Sequence, residues 1–263
     1  MNFKVGDYVT RNSYDNDIVF VIIGIKDKIA LLKGVNLRLV ADSPLSDLKV
    51  SDDERTDDFI DNIELDVDID NMDRDDSNEF FYLPPKILHL DGDSDYLEKC
   101  LSFYKKNRVM AYGRTVLEKD LEKQVIPLLT DIKPDILIVT GHDSFNKKNS
   151  DVNDMKNYKN SFNFIKAVKE ARKYEKSHEK LLVIAGACQS NYEELIKAGA
   201  DFASSPKRVN IHALDPAIIA TTLSLTERNR EIDLLKLLEK TKYGKDGMGG
   251  LKVNGLMYVG YPR

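Results

Sequence analysis

The sequence predicts an α/β protein on an open, mostly parallel sheet flanked by helices, and three observations carry that prediction. Residues 136–143, ILIVTGHD, and 181–190, LLVIAGACQS, are short runs rich in Ile, Val and Leu with no polar alternation. Strands buried on both faces of a parallel sheet read this way. From residue 84 onward such runs alternate with amphipathic stretches of helical period, the rhythm of βα units. Each of the two runs ends in a glycine-containing turn that delivers a reactive side chain, His142 in one and Cys188 in the other. Ligands of open α/β sheets bind in the crevice beyond the strand C-termini. Neighbouring strands lie about 4.8 Å apart, so a histidine and a cysteine just past two adjacent strand ends suit a base and a nucleophile.

Residues 1–50 carry strand-like runs at 8–10, 18–25, 29–32 and 37–40, with turn signals at 12–17, 27–28 and 34–36. That pattern predicts a small SH3-like β-barrel, which either binds a partner or packs on its own catalytic domain. Residues 51–83 read as an acidic linker. Between 51 and 80 there are 14 Asp or Glu against Arg55 and Arg74, a balance of −12, which leaves +7 for the rest of a chain whose net charge is −5. A mildly basic body of this kind suits either a polyanion or the chain's own acidic strip. Apolar and acidic residues alternate over 63–69 and allow an edge strand there. No glycine is placed as an EF-hand loop requires, so no metal site is expected.

Residues 84–263 form the expected α/β domain. The first strand is read at 86–90 and the first helix at 95–105, with Cys100 inside its apolar stripe as a buried structural thiol. A second strand follows at 108–112, then a helix at 118–130 that Pro127 should kink. The third strand, 135–140, delivers His142. The polar stretch 143–161 is long for a strand-to-helix connection and reads as a substrate loop or lid. A helix at 162–176 precedes the fourth strand and Cys188. Ser190 and Glu193 have capping-box spacing for a helix at 191–197 stopped by Gly199, which would set Cys188 near a helix N-terminus that favours thiolate. A fifth strand at 201–203, helices at 216–225 and 231–240, and a glycine-rich tail before a short strand at 256–259 complete the chain. Gly244-Lys245 lacks the spacing of a phosphate-binding loop, and no cofactor is expected.

Two cysteines give neither a disulfide framework nor zinc spacing. The first residues, MNFKVGDYV, do not read as a signal peptide, and no apolar run reaches a membrane span. A soluble, cytoplasmic protein is the expectation.

His142 lies 46 residues before Cys188. One cysteine-protease pattern sets its cysteine in Q-A-C with the histidine about 50 residues upstream; here the motif is Gly186-Ala187-Cys188. The arrangement resembles the caspase-like, gingipain-like protease fold. It departs in having Gly141 before the histidine and Asp143 after it, so the oxyanion donors are expected from the N–H groups of Asp143 and Cys188, with Gly141, Gly186 and Ala187 shaping the turns.

A resemblance over nearly the whole chain rests on FKVGDYVTR, LKGVNLRLVADSPLSDL, TGHD, AGACQS and AGADFASSPKRVNIHALDP, in that order. These blocks resemble the YabG family of sporulation-specific proteases. The resemblance implies a cysteine endopeptidase of the mother cell, associated with the forming spore coat, that trims spore coat and related proteins after arginine. It implies Cys188 and His142 as the catalytic pair, protein substrates as the partners, and neither nucleic acid nor membrane among them. Arginine preference would call for a carboxylate in the pocket. Asp91, Asp93 and Asp95 after the first strand, and Asp143, are the candidates, each read first as a turn or capping residue and second as a specificity determinant. His212 rivals His142 as base, but its loop after the fifth strand favours pocket lining or structural hydrogen bonding, while His89 and His178 read as structural. Arg55 and Arg74 in the acidic strip are candidate self-cleavage sites. Two other classes remain open: a non-catalytic coat scaffold, and a class I amidotransferase-like hydrolase with His212 as base.

Overall fold

A computed structural model describes residues 3–51, 80–146 and 151–261, and the chain divides into two compact units, Met1–Ile63 and Glu64–Arg263. The acidic segment, the edge strand expected at 63–69, and both Arg55 and Arg74 fall outside the described residues.

The first unit is a five-stranded antiparallel sheet of β1 (Tyr8–Arg11), β2 (Phe20–Lys26), β3 (Ile29–Gly34), β4 (Val40–Pro44) and β5 (Leu48–Val50), in the order β4-β3-β2-β1-β5. Val9, Phe20, Ile22, Ala30, Leu32 and Leu48 form its core, while Ile29 and Leu31 of the same strands face outward, the period-2 alternation of a one-sided sheet. Asp27 and Lys28 both take left-handed φ, 50° and 67°, which lets a two-residue hairpin turn match the strand twist. The fourth run begins later than the sequence suggests, at Val40. The preceding residues close a tight turn in which the Gly34 N–H donates to Leu39 O at 2.7 Å, and a Cβ at Gly34 would sit 2.4 Å from Leu37 O.

The second unit contains β6 (Phe81–Leu83), β7 (Ile87–Asp91), α1 (Ser94–Lys106), β8 (Ala111–Thr115), α2 (Leu121–Ile132), β9 (Ile136–Thr140), α3 (Ser161–Tyr174), β10 (Leu182–Ala185), α4 (Tyr192–Ala198), β11 (Phe202–Ser204), α5 (Asp215–Leu225), α6 (Leu234–Glu239), α7 (Gly244–Gly247), β12 (Met248–Gly250) and β13 (Tyr258–Gly260). Six strands form one sheet in the order β12-β11-β10-β9-β7-β8, parallel except for β12, which runs antiparallel to β11. β13 pairs with β6 in a separate ribbon. The second strand starts three residues after its expected position, because Arg108 takes φ 56° to turn the chain out of α1 before it can extend. α2 continues through Pro127, led in by a 3-10 turn at Glu118–Asp120.

Leu90, Val139 and Val183 pack against Val125, Leu129, Phe164, Val168 and Leu195 from α2, α3 and α4. On the opposite face His89 of β7 bonds to Tyr104 of α1 at 2.9 Å, and the Cys100 thiol donates to Ala213 O at 3.3 Å, just before α5. Every residue of α5 is buried, so it lacks the polar stripe by which a surface helix is recognised. Among the described residues no helix is long and apolar enough to cross a membrane.

Candidate active site

The turns that carry His142 and Cys188 are tied by side chains, with Gln189 Oε1 accepting the Phe145 N–H at 3.1 Å and Asp143 bonding across from the histidine side. β9 and β10 are adjacent and parallel, with Val139 opposite Ala185 and the Gly186 N–H donating to Val139 O at 3.0 Å. Beyond that point Asp143 takes over. Its carboxylate accepts from Ser144 N at 2.8 Å, Asn160 N at 2.7 Å, the Ser161 hydroxyl, and the Ser190 hydroxyl at 2.9 Å. Burial raises the Asp143 pKa, and these four donors oppose the rise. Asp143 follows His142 and Ser190 lies two residues after Cys188, so their hydrogen bond clasps one turn to the other.

Ser190 therefore does not cap α4 as its spacing suggests. Its hydroxyl accepts the Ala187 N–H at 2.9 Å and donates to Asp143, while Asn191 is the N-cap and accepts from Glu194 N at 3.2 Å. Gly186 takes φ 106° at the start of this turn, and a Cβ there would lie 2.8 Å from Leu195. The Cys188 sulfur accepts the Ile211 N–H at 3.2 Å, a main-chain donor from the segment after β11 and not from the end of α4. The thiol in turn reaches Ile211 O at 3.8 Å, so both main-chain groups of one residue meet the sulfur.

His142 is fixed from two sides. Its Nε2–H donates to Asp93 Oδ2 at 2.9 Å, and its main-chain N–H donates to Glu118 Oε1 at 2.7 Å. Asp93 turns its other oxygen, Oδ1, toward α1, where it serves as the N-cap and accepts from Asp95 N at 2.9 Å and Tyr96 N at 3.3 Å. With the proton on Nε2, the lone pair is on Nδ1, and that atom is buried with no hydrogen-bond partner. His142 as a whole keeps 21% of its side-chain surface exposed and Asp93 keeps 11%. The Tyr96 ring stands 5.7 Å from the imidazole.

Cys188 is fully buried, and His142 makes no hydrogen bond to it. Ile211, whose N–H and C=O both meet the sulfur, is the cover on the thiol, and it belongs to the segment 205–213. Gln189 holds this cover, donating from its main chain to Val209 O at 3.1 Å and Ser205 Oγ at 2.9 Å, and from its side chain to Asn210 Oδ1 at 3.1 Å. Arg208 ties the cover to the polar stretch after His142 through the Tyr158 hydroxyl, 2.7 Å away, and pairs with Glu193 at 2.5 Å. Within that stretch Phe145 and Tyr158 form an antiparallel bridge; residues 147–150 lie outside the described set.

The remaining predicted residues spread more widely. Asp91 is fully buried and accepts from Asp93 N at 2.9 Å and the Thr140 hydroxyl at 2.9 Å, so no surface of it faces a substrate. Asp95 lies in the first turn of α1. His212 is buried, with Nδ1 accepting from Leu214 N at 3.0 Å and its own N–H donating to Asp215 at 2.8 Å. His89 bonds to Tyr104 and Thr140, and His178 contacts Asp201 at 2.5 Å. Gly141 has a role the sequence did not suggest: a Cβ there would fall 2.5 Å from Glu118 Oε1, and one at Gly92 would fall 2.4 Å from the same oxygen. The missing side chains make room for a carboxylate beside His142. Among the described residues no group of three His, Cys, Asp or Glu is placed to hold a metal ion.

Comparison with known proteins gives concordant results. The family model described as YabG peptidase U57 matches residues 4–262. The chain is 39% identical to the sporulation-specific protease YabG of Bacillus subtilis (strain 168) in an alignment spanning 100% of this chain and 99% of that protein.

Proposed function

The chain belongs to the YabG peptidase U57 family, and we propose that it is a thiol endopeptidase of sporulation, with Cys188 as nucleophile and His142 as base. The Asp143–Ser190 hydrogen bond carries this reading. It couples the two turns at the carboxyl edge of adjacent strands, the edge at which ligands of open α/β sheets bind.

Chemistry begins when a substrate lifts residues 205–213 from the thiol. His142 Nδ1 takes the thiol proton and becomes imidazolium, a charge that Asp93 stabilises across Nε2. The sulfur attacks the scissile carbonyl, and the oxyanion settles on the N–H groups of Asp143 and Cys188. His142 returns the proton to the leaving amine as the C–N bond breaks. Water, deprotonated by the same nitrogen, then cleaves the thioester and regenerates the thiol. Spore coat and related proteins are the proposed substrates, cut after arginine in the mother cell. The sheet order, with strand-end His and Cys on its central parallel pair, supports a caspase-like peptidase domain over 84–263, and the N-terminal sheet is read as an SH3-like barrel.

The test uses wild-type protein, an arginine-containing coat protein and a peptidyl-arginyl acyloxymethyl ketone. New termini after arginine, together with inactivation that places the ketone's adduct on Cys188, are expected. Full activity in completely labelled protein, or inactivation through another residue, would overturn the reading.

Asp93→Asn isolates the orienting role. Asn still caps α1, since its side-chain oxygen accepts the same N–H groups. It no longer fixes the Nε2–H tautomer or stabilises imidazolium. A loss of about 10²-fold in kcat with KM little changed is expected from steady-state kinetics.

A further inference from the structure

We infer that Glu118 is the residue that receives the cationic side chain of the substrate at the cleaved bond, an inference that rests on the peptidase reading above. Among the carboxylates around His142, three are committed elsewhere. Asp91 is fully buried on Thr140 and the Asp93 N–H. Asp143 is the clasp, saturated by four donors. Asp93 divides its two oxygens between the α1 cap and His142. Glu118 differs in kind. It is half-buried, and the one hydrogen bond of its carboxylate among the described residues is from the His142 N–H to Oε1. No lysine or arginine of the described residues pairs with it.

Its position is built, not incidental. The carboxylate rests over two glycines at the ends of neighbouring strands, Gly92 after β7 and Gly141 after β9, and a methyl group on either would displace it. The His142 N–H anchors one oxygen against that floor, which fixes the carboxylate without neutralising it. Each carboxylate oxygen accepts more than one hydrogen bond, so Oε1 keeps capacity after taking the N–H and Oε2 keeps all of its own. A carboxylate with acceptor capacity left on both oxygens suits the parallel N–H pair of a guanidinium better than the single point of an ammonium. The anchor is the main chain of the proposed base itself, so a cation held by Glu118 lies beside the group that acts on the scissile bond.

The decisive variant is Glu118→Gln. Gln fills the same space over Gly92 and Gly141 and retains an oxygen for the His142 N–H, but loses the charge. Four peptides differing only at the cleaved residue, Arg, Lys, citrulline or Glu, are compared by kcat/KM in wild type and variant, with Cys188→Ala as the control for thiol dependence. Citrulline keeps the shape of arginine and removes its charge. Wild type is expected to favour Arg over citrulline by about 100-fold, the range of a charge-assisted hydrogen bond, and to favour Arg over Lys. In Glu118→Gln the Arg-to-citrulline ratio should collapse to within about tenfold, with the loss falling on the arginyl peptide. A ratio preserved in the variant would overturn the inference. So would an equal fall on all four peptides, because Glu118 would then only position the His142 turn. Equal cleavage of Arg and citrulline by wild type would overturn it while leaving the peptidase reading intact. Cleavage that persists in Cys188→Ala would instead strike the thiol mechanism, and this inference with it.

Discussion

Cys188→Ala is expected to abolish cleavage of arginyl peptides and coat protein, with kcat at least about 10⁴-fold below wild type, in the range seen when a covalent nucleophile is removed. The opposing expectation is equally physical. Cys188 is fully buried and its sulfur accepts the Ile211 N–H, the setting of an inert structural thiol. The two are separated by stability and activity measured on the same protein. Truncation to Ala removes a sulfur and leaves the Ile211 N–H without that acceptor, a cost of about 1 kcal/mol, or roughly 3 °C in Tm for a unit of this size. A structural thiol would therefore show a modest drop in Tm with turnover retained. A nucleophile shows the same modest drop with turnover gone. Cys188→Ser sharpens the comparison, because its hydroxyl can still accept from Ile211 but is a far weaker nucleophile than a thiolate, so it should be more stable than the Ala variant and nearly as inactive. Cys100→Ala should cleave normally, since that thiol is spent on Ala213 O across the far face of the sheet.

The sequence discloses what local pattern controls. The runs that became β9 and β10 are legible because strands buried on both faces lose their polar alternation, and the turn at Asp27-Lys28 because a polar pair interrupts two strand-like apolar runs. What depends on strand order is not legible. Asp93 meets His142 only because β7 lies beside β9, a neighbour relation set by the fold and carried by no spacing in the chain. Glu118 is hidden for a related reason, since the signal for it lies in two glycines on other segments, Gly92 and Gly141, that read as ordinary turn residues. Ser190 shows a local rule overruled: its capping-box spacing is correct, yet a buried carboxylate from the neighbouring turn claims the hydroxyl. Leaving that carboxylate one donor short would cost more than moving the cap by one residue to Asn191.

His142→Ala is expected to lower kcat/KM by about 10⁴-fold, the upper range for loss of a general base, whereas His212→Asn should stay within about tenfold of wild type. The comparison matters because His212 is the nearer rival in the chain: it follows Ile211, whose N–H touches the sulfur. Proximity along the chain does not supply a lone pair, however. Nδ1 of His212 already accepts the Leu214 N–H, and the His212 main-chain N–H is held by Asp215 at the start of α5, so Nδ1 cannot take a proton without first breaking the turn. In His142 the corresponding nitrogen is buried, unpartnered and polarised by Asp93 through the ring. Asn at position 212 can still accept from Leu214, so that variant keeps the turn and removes only the imidazole. Added imidazole should restore part of the activity of His142→Ala, with a pH dependence that follows the added base. The reverse result, a large loss at His212 and a small one at His142, would shift the base to the segment after β11 and favour an amidotransferase-like arrangement. Full activity in both variants would leave the thiol without a base, and the scaffold reading would then account better for this chain.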